Sequence, residues 1–112
     1  MTAPLFDAAV IGAGPAGLAT AVSLATAGCK TVLAGPPHAP DPARPDTRTT
    51  ALLQASVQLL RNTGIWHHCE NEAAPLNAIR LIDDTGRLLR APEVLFECSE
   101  LGGEPFGYNI AN

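Results

Sequence analysis

The pattern of apolar and polar positions near the start of the chain is typical of a strand, then a helix, then a second strand. The apolar run Phe6–Ile11 ends at a glycine and predicts a buried strand. In Ala16–Ala27, polar side chains recur every third position, which predicts a helix that Gly28 ends. Lys30–Ala34 predicts the second strand. A strand–helix–strand unit of this length requires its two strands to run parallel.

The middle of the chain changes from a proline-rich loop to a helical pattern. Five prolines within residues 35–46 predict an extended loop, because each removes a backbone donor and fixes φ. Apolar side chains then cover a broad face of Thr49–Thr63, which predicts an amphipathic helix that Thr49 or Thr50 caps and Gly64 ends.

The last third predicts a β-hairpin over residues 76–90. Leu76–Ile82 alternates, residues 83–86 are typical of a turn, and Arg87–Arg90 forms the expected return strand. Ala91–Asn112 is mixed, with glycine turn signals. Residues 1–112 are therefore expected to form one α/β domain or part of one, made of a βαβ unit, a further helix and a hairpin.

Composition narrows the class of protein. The 112 residues are 46% hydrophobic and 16% charged, which excludes a typical disordered chain and allows one small domain. A net charge of −4, no basic run and 4% aromatic residues argue against nucleic-acid binding. The three widely spaced cysteines suit a reducing compartment rather than a disulfide framework. The uncharged run Ala8–Cys29 is rich in Gly, Ala, Ser and Thr, so we expect no transmembrane segment.

The glycine-rich turn Gly12–Gly17 (GAGPAG) is the strongest chemical signal, because it follows a predicted strand and opens a predicted helix. In this context, the first glycine permits the tight turn. The second lets a diphosphate approach the backbone, and the third lets helix and strand pack closely. Free N–H groups at the helix start then face the diphosphate. The turn therefore predicts dinucleotide binding, with an incidental glycine-rich turn as the alternative.

One part of the dinucleotide fingerprint is missing. An acidic side chain should end the second strand, near residue 34, and bind the ribose hydroxyls. The chain instead has the run Ala34–Pro37 (AGPP), and Asp41 and Asp46 come only later. Ribose recognition must then come from backbone or from another segment, or be weaker.

Other reactive side chains predict no chemistry of their own. The run His67–Cys69 lacks the spaced partners that a metal site needs, so no metal is expected. Trp66 is expected to close a helix–loop core rather than touch a substrate. We assign no catalytic acid, base or nucleophile.

Several segments together resemble FAD-dependent aromatic-ring monooxygenases. Residues 7–36 resemble the first βαβ unit of that family. Further segments resemble one branch of it, the ubiquinone-biosynthesis hydroxylases. The segments most specific to this branch are the Arg48 motif and FGYNI. The further segments are Asp46–Leu52 (DTRTTAL), Gly64–Trp66, Ala74–Leu76, Asp83–Arg87 and Phe106–Ile110 (FGYNI).

The resemblance implies that the chain is the N-terminal part of a Rossmann-like FAD-binding domain. It implies that the glycines of the first motif bind the FAD diphosphate and that Arg48 lies beside the cofactor. The alternative for Arg48 is a surface ion pair with Asp46. The expected cofactor-binding residues are Gly12, Ala13, Gly14, Pro15, Ala16, Gly17, Ala34, Gly35 and Arg48.

The same resemblance implies an activity for the longer family members. NAD(P)H reduces their FAD, and reaction with oxygen then hydroxylates an aromatic or quinone-precursor ring. A cytoplasmic location is implied, peripheral to the membrane if the substrate is a lipid. These hydroxylases are several times longer, so the chain resembles an N-terminal fragment too short to be active alone, with uncovered apolar faces that favour self-association. The alternatives are a non-catalytic fragment or interaction module that binds no cofactor, and an NAD-dependent oxidoreductase domain.

Overall fold

A computed structural model describes residues 3–37, 43 and 46–111 of the chain. The described residues form two compact units. The first comprises those up to Asp46 together with Asn62–Gly64, and the second comprises Thr47–Arg61 and Ile65–Ala111. Most of the proline-rich stretch at 35–46 lies outside the described residues, and its described start, Gly35–Pro37, is neither helix nor strand.

The first unit contains the predicted strand–helix–strand arrangement. Strand β1 (Ala8–Ile11) is followed by helix α1 (Pro15–Thr26) and strand β2 (Thr31–Ala34). The two strands pair in parallel, from Ala8 opposite Thr31 to Ile11 opposite Ala34. The parallel pairing is the one that the helical connection requires. A mixed α/β architecture is therefore confirmed.

Asp7 stabilises the beginning of this pair of parallel strands through hydrogen bonds to Lys30. Its backbone N–H donates to the Lys30 carbonyl oxygen at 2.8 Å, and its Oδ2 accepts from the Lys30 N–H at 2.7 Å. The Lys30 ammonium also lies 5.4 Å from the centre of the Phe6 ring. The charged side chain directly before β1 thus has a structural role, because it satisfies a backbone donor at the sheet end.

The second unit is built on a three-stranded antiparallel sheet. Its strands are β3 (Thr49–Leu53), β4 (Ala74–Pro75) and β7 (Gly107–Ala111), with β7 between the other two. Helix α2 (Gln54–Asn62) follows β3 directly. Short 3₁₀ turns occupy Trp66–His68, Glu70–Glu72 and Cys98–Leu101.

The core of the second unit is small. Val57 of α2 is fully buried and Trp66 is 6% exposed. The Trp66 ring packs edge-on against Tyr108 of β7, with ring centroids 5.0 Å apart, and the Arg61 guanidinium lies 5.7 Å from its centre. The expectation that Trp66 closes a helix–loop core is confirmed.

The prediction of an amphipathic helix over Thr49–Thr63 is wrong at its start, because the helix in the structure begins five residues later, at Gln54. Residues 49–53 are strand β3, which pairs with β7 from Thr49 opposite Ala111 to Leu53 opposite Gly107. Two β-branched threonines favour an extended backbone at this point. The partner strand is more than fifty residues away, so local periodicity could not reveal it.

The hairpin predicted over residues 76–90 has a different return strand. Strand β5 (Ala78–Leu81) pairs antiparallel with β6 (Val94–Glu97), not with residues 87–90. The Asp83 carboxylate accepts the backbone N–H of Thr85 at 3.1 Å and that of Ala91 at 2.9 Å. These bonds stabilise a loop between β5 and β6, so the return strand begins later in the chain than predicted. The bond from Ala91, followed by those from Thr85, lowers the pKa of Asp83 below its usual value.

Candidate functional site

The candidate site is the turn between β1 and α1. The backbone N–H of Gly12 donates to the carbonyl oxygen of Ala34 at 2.8 Å, which joins the beginning of the turn to the end of β2. The N–H of Leu18 donates to the Gly14 carbonyl at 2.9 Å and closes the first turn of α1. The site is therefore held between a sheet end and a helix start.

The first and third glycines of the motif are required by the protein's own backbone. Gly12 has φ +114°, a left-handed conformation that side chains rarely adopt. A Cβ on Gly17 would overlap the carbonyl oxygen of Gly12 and lie 3.0 Å from its carbon and 3.7 Å from a Val10 methyl. Gly17 thus lets the helix approach the strand closely.

Gly14 differs from these two glycines because no described residue requires a glycine there. Its φ of −76° and ψ of 175° are open to any residue, and a Cβ built there meets no described atom within 4 Å. A side chain at this position would enter open space in front of the helix. That is the arrangement needed if a bound group, and not the protein, occupies the space beside Gly14.

The start of α1 offers donors and no competing negative charge. Pro15 occupies the first turn, where its missing N–H costs nothing. The first turn contains no acidic side chain and Gly14 supplies no side-chain cap. In the part of the chain that the structure describes, no acceptor meets the backbone N–H of Ala16 or Gly17. These N–H groups and the helix dipole suit an anion such as a diphosphate.

Ala34 and Gly35 adjoin the turn. A Cβ on Gly35 would lie 2.7 Å from the backbone nitrogen of Ala13. No carboxylate follows within Thr31–Pro37, so the described end of β2 lacks the ribose-binding acid of the fingerprint. The structure therefore brings eight of the nine predicted cofactor residues into the first unit, at one end of its sheet.

Arg48, the ninth predicted residue, belongs to the second unit. It is exposed and directly precedes β3. The pairing of β3 with β7 joins the Arg48 motif to the FGYNI segment, with Thr50 opposite Ile110. A Cβ on Gly107 would overlap the carbonyl oxygen of Leu52, so this glycine permits the close pairing. The two motifs most specific to the hydroxylase branch thus lie on neighbouring strands.

Gln54 is a structural residue that sequence reasoning missed. Its side-chain Nε2 donates to the Pro105 carbonyl oxygen at 2.6 Å, and its backbone N–H donates to the Phe106 carbonyl oxygen at 3.3 Å. Both bonds hold the segment that leads into FGYNI. The signal was weak, because a glutamine at the junction of a strand and a helix resembles an ordinary solvated position.

The described residues contain neither a cluster of metal ligands nor a membrane-spanning helix. Within residues 3–37, 43 and 46–111, no group of three or more His, Cys, Asp or Glu side chains is placed to hold a metal ion. His67 and His68 stack on each other, with ring centroids 3.7 Å apart. No helix in the described part of the chain is both long and apolar enough to span a membrane.

The chain is similar to a known protein family and to a curated protein. A family model described as an FAD binding domain matches residues 6–100. The chain is also 34% identical over 120 aligned positions to the ubiquinone hydroxylase UbiM of Neisseria meningitidis serogroup C. That alignment covers 95% of this chain and 24% of the relative, so the chain spans about a quarter of the relative's length. The predicted family resemblance and FAD as its cofactor are confirmed. The chain belongs to the FAD binding domain family.

Proposed function

We propose that the chain forms the diphosphate-binding part of a Rossmann-like domain in a flavin-dependent monooxygenase. The observation that supports the proposal is a structural difference among the three glycines of the turn. The protein's backbone requires Gly12 and Gly17, whereas the described residues leave the space beside Gly14 open to a bound group. The family match over residues 6–100 makes FAD the group in question.

The proposed contacts follow from the elements at the turn. The backbone N–H groups of Ala16 and Gly17 donate to the diphosphate, and the positive end of the α1 dipole stabilises its charge. Ala13 and Pro15 shape the turn, while Ala34 and Gly35 form the adjoining sheet end. These groups bind and orient the cofactor and do not react themselves.

Arg48 is proposed to lie beside the same cofactor. Its guanidinium stays charged and presents several donors in fixed geometry, which suits phosphate or flavin oxygens. The support is its place in the motif before β3, where the sequence resembles the hydroxylase branch. Asp46 remains the alternative partner.

The proposed activity is hydroxylation of an aromatic ring. FAD, reduced by NAD(P)H, supplies the oxygen chemistry when it is bound. The similarity to a ubiquinone hydroxylase supports an aromatic quinone precursor as the substrate class. A soluble cytoplasmic protein that approaches the membrane for a lipid substrate is part of the same proposal. An NAD-dependent dehydrogenase fits less well, because the described end of β2 carries no ribose acid.

The proposal is tested by adding FAD to the purified 112-residue chain. Flavin absorption bands that remain with the protein after gel filtration, and quenching of flavin fluorescence on titration, are the expected results. No retained flavin and no quenching at high FAD concentration would overturn cofactor binding by this chain. Free riboflavin, which lacks the diphosphate, is the matched control and is expected to bind far more weakly.

One observation favours a second candidate, a fragment or module that associates without a cofactor. Many large apolar side chains of the described residues are exposed. Leu88 is 100% exposed, and Val94, Leu95 and Phe96 of β6 are each at least 40% exposed. Surfaces of this kind mark interaction sites or association. Sedimentation of the chain with and without FAD separates the candidates, because a cofactor-free module would associate and leave the flavin in the unbound fraction.

A further inference from the structure

The end of β2 meets the glycine turn at one residue pair, Gly35 and Ala13. A Cβ on Gly35 would lie 2.7 Å from the Ala13 nitrogen, 2.8 Å from its Cβ and 3.3 Å from its Cα. Separations below 3.0 Å are essentially never seen for real Cβ atoms. Neither the backbone nitrogen nor a Cβ can move aside by a change of rotamer. Any side chain at residue 35 must therefore displace the turn.

This contact, and not the backbone conformation, is what requires glycine at residue 35. The φ of Gly35 lies outside the left-handed region that side chains avoid. The neighbouring bond from the Gly12 N–H to the Ala34 carbonyl oxygen holds the preceding part of the turn. Two consecutive residues at the end of β2 thus fix two consecutive residues of the turn. The N–H groups that follow the turn depend on both contacts for their position.

We infer that Gly35 is a positioning residue for the diphosphate turn, and that its packing against Ala13 leaves no room for a ribose-binding acid at this position. The inference rests on the proposed function. The dinucleotide fingerprint puts a carboxylate at this end of the second strand. Here the first atom of such a side chain would collide with the turn that binds the diphosphate. An acid introduced at residue 35 therefore weakens cofactor binding instead of adding a ribose hydrogen bond.

The test measures FAD affinity of the full chain by flavin fluorescence for wild type, Gly35→Ala and Gly35→Glu. Both substitutions are expected to raise the dissociation constant roughly 5- to 150-fold, the factors that correspond to an overpacking cost of about 1–3 kcal/mol. Tighter FAD binding by Gly35→Glu would overturn the inference, and so would unchanged binding by Gly35→Ala.

Gly28→Ala is the matched control for loss of stability. Gly28 has φ +89° and follows α1 at the end remote from the turn, so alanine there is strained without touching the site. This control is expected to lower the unfolding midpoint and to leave the FAD dissociation constant within about twofold. Gly28→Ala weakening FAD binding as much as Gly35→Ala would assign the effect to stability and overturn the inference.

A second substitution tests the contact itself. Ala13→Gly removes the Cβ that faces residue 35 and frees the turn backbone to shift. In the Gly35→Ala background it is expected to recover part of the lost affinity. If Gly35→Ala alone does not fold, recovery of folding by the double variant supports the contact. A double variant as impaired as the single one contradicts it.

Backbone amide signals measured without FAD separate this inference from the proposed function. Gly35→Ala is expected to shift the Gly12 and Gly14 amide resonances, and Ala13→Gly to move them back towards their wild-type positions. A wild-type chain that binds no FAD would refute the proposed function, whereas the amide shifts would still decide the role of Gly35. Unshifted amide signals in Gly35→Ala would overturn the positioning role.

Discussion

Replacing Gly14 by alanine separates the stability of the turn from its capacity to bind a cofactor. Gly14 has an extended backbone, and a Cβ at this position meets no described atom within 4 Å. Gly→Ala at such a compatible position stabilises a protein by about 0.4–1 kcal/mol, because the unfolded chain loses freedom. Gly14→Ala is therefore expected to unfold at a slightly higher urea concentration than the wild type.

The same substitution is expected to weaken FAD binding strongly. The new methyl group enters the space that the proposed diphosphate occupies, next to the N–H groups of Ala16 and Gly17. An overpacking cost of about 1–3 kcal/mol corresponds to a dissociation constant raised roughly 5- to 150-fold. Gly14 would then be a position where stability and affinity move in opposite directions.

Gly17→Ala is the matched variant, because its Cβ collides with the protein itself. Overlap with the Gly12 carbonyl oxygen forces α1 away from the turn, at a cost of about 1–3 kcal/mol of unfolding free energy. FAD affinity falls as well, since the helix start moves.

Urea denaturation followed by circular dichroism and FAD titration followed by flavin fluorescence measure the two quantities for both variants. A Gly14→Ala chain that is destabilised like Gly17→Ala, or one that binds FAD as the wild type does, would refute the proposed role of Gly14.

Three further substitutions test the second unit. Val57→Ala removes two methyl groups from the fully buried position and is expected to cost about 2 kcal/mol in urea denaturation; a loss below about 0.5 kcal/mol would contradict its core position. Gly107→Ala places a Cβ on the Leu52 carbonyl oxygen, so amide exchange in β3 and β7 should accelerate, and unchanged exchange would refute the close pairing. The lowered pKa of Asp83 means that its bond to the Ala91 N–H is fully present above pH 3.8 and is lost as the pH falls through the lowered pKa. Asp83→Ala, which removes both acceptor oxygens, should make Ala91 exchange fast at every pH, and equal protection in both chains would argue against the bond.

Local signals sufficed to predict the first unit. Alternation between apolar runs, small helix formers and glycines fixes β1, α1 and β2 within a few residues, because these elements follow one another along the chain. The roles of Gly12 and Gly17 also followed from the motif. Gly35 is different, since its contact with Ala13 joins segments some twenty residues apart, and only the folded backbone reveals it.

The second unit could not be predicted to the same extent. Strand β3 continues into α2 without a break in apolar character, and only its pairing with β7 separates strand from helix. Local alternation predicts the return strand too early, because it does not show that the Asp83 carboxylate stabilises a loop before β6. Non-local pairing and side-chain–backbone bonds of this kind leave little trace in hydrophobic periodicity.

Amide chemical-shift mapping of the 112-residue chain during FAD titration measures whether the glycine-rich turn binds the diphosphate. FAD is expected to shift the Gly14, Ala16 and Gly17 amide signals most and to leave the signals of β5 and β6 in place. Inorganic pyrophosphate at higher concentration should shift the same turn signals. Largest shifts outside Gly12–Gly17, or none at saturating FAD, would contradict the assignment of this turn as the diphosphate site.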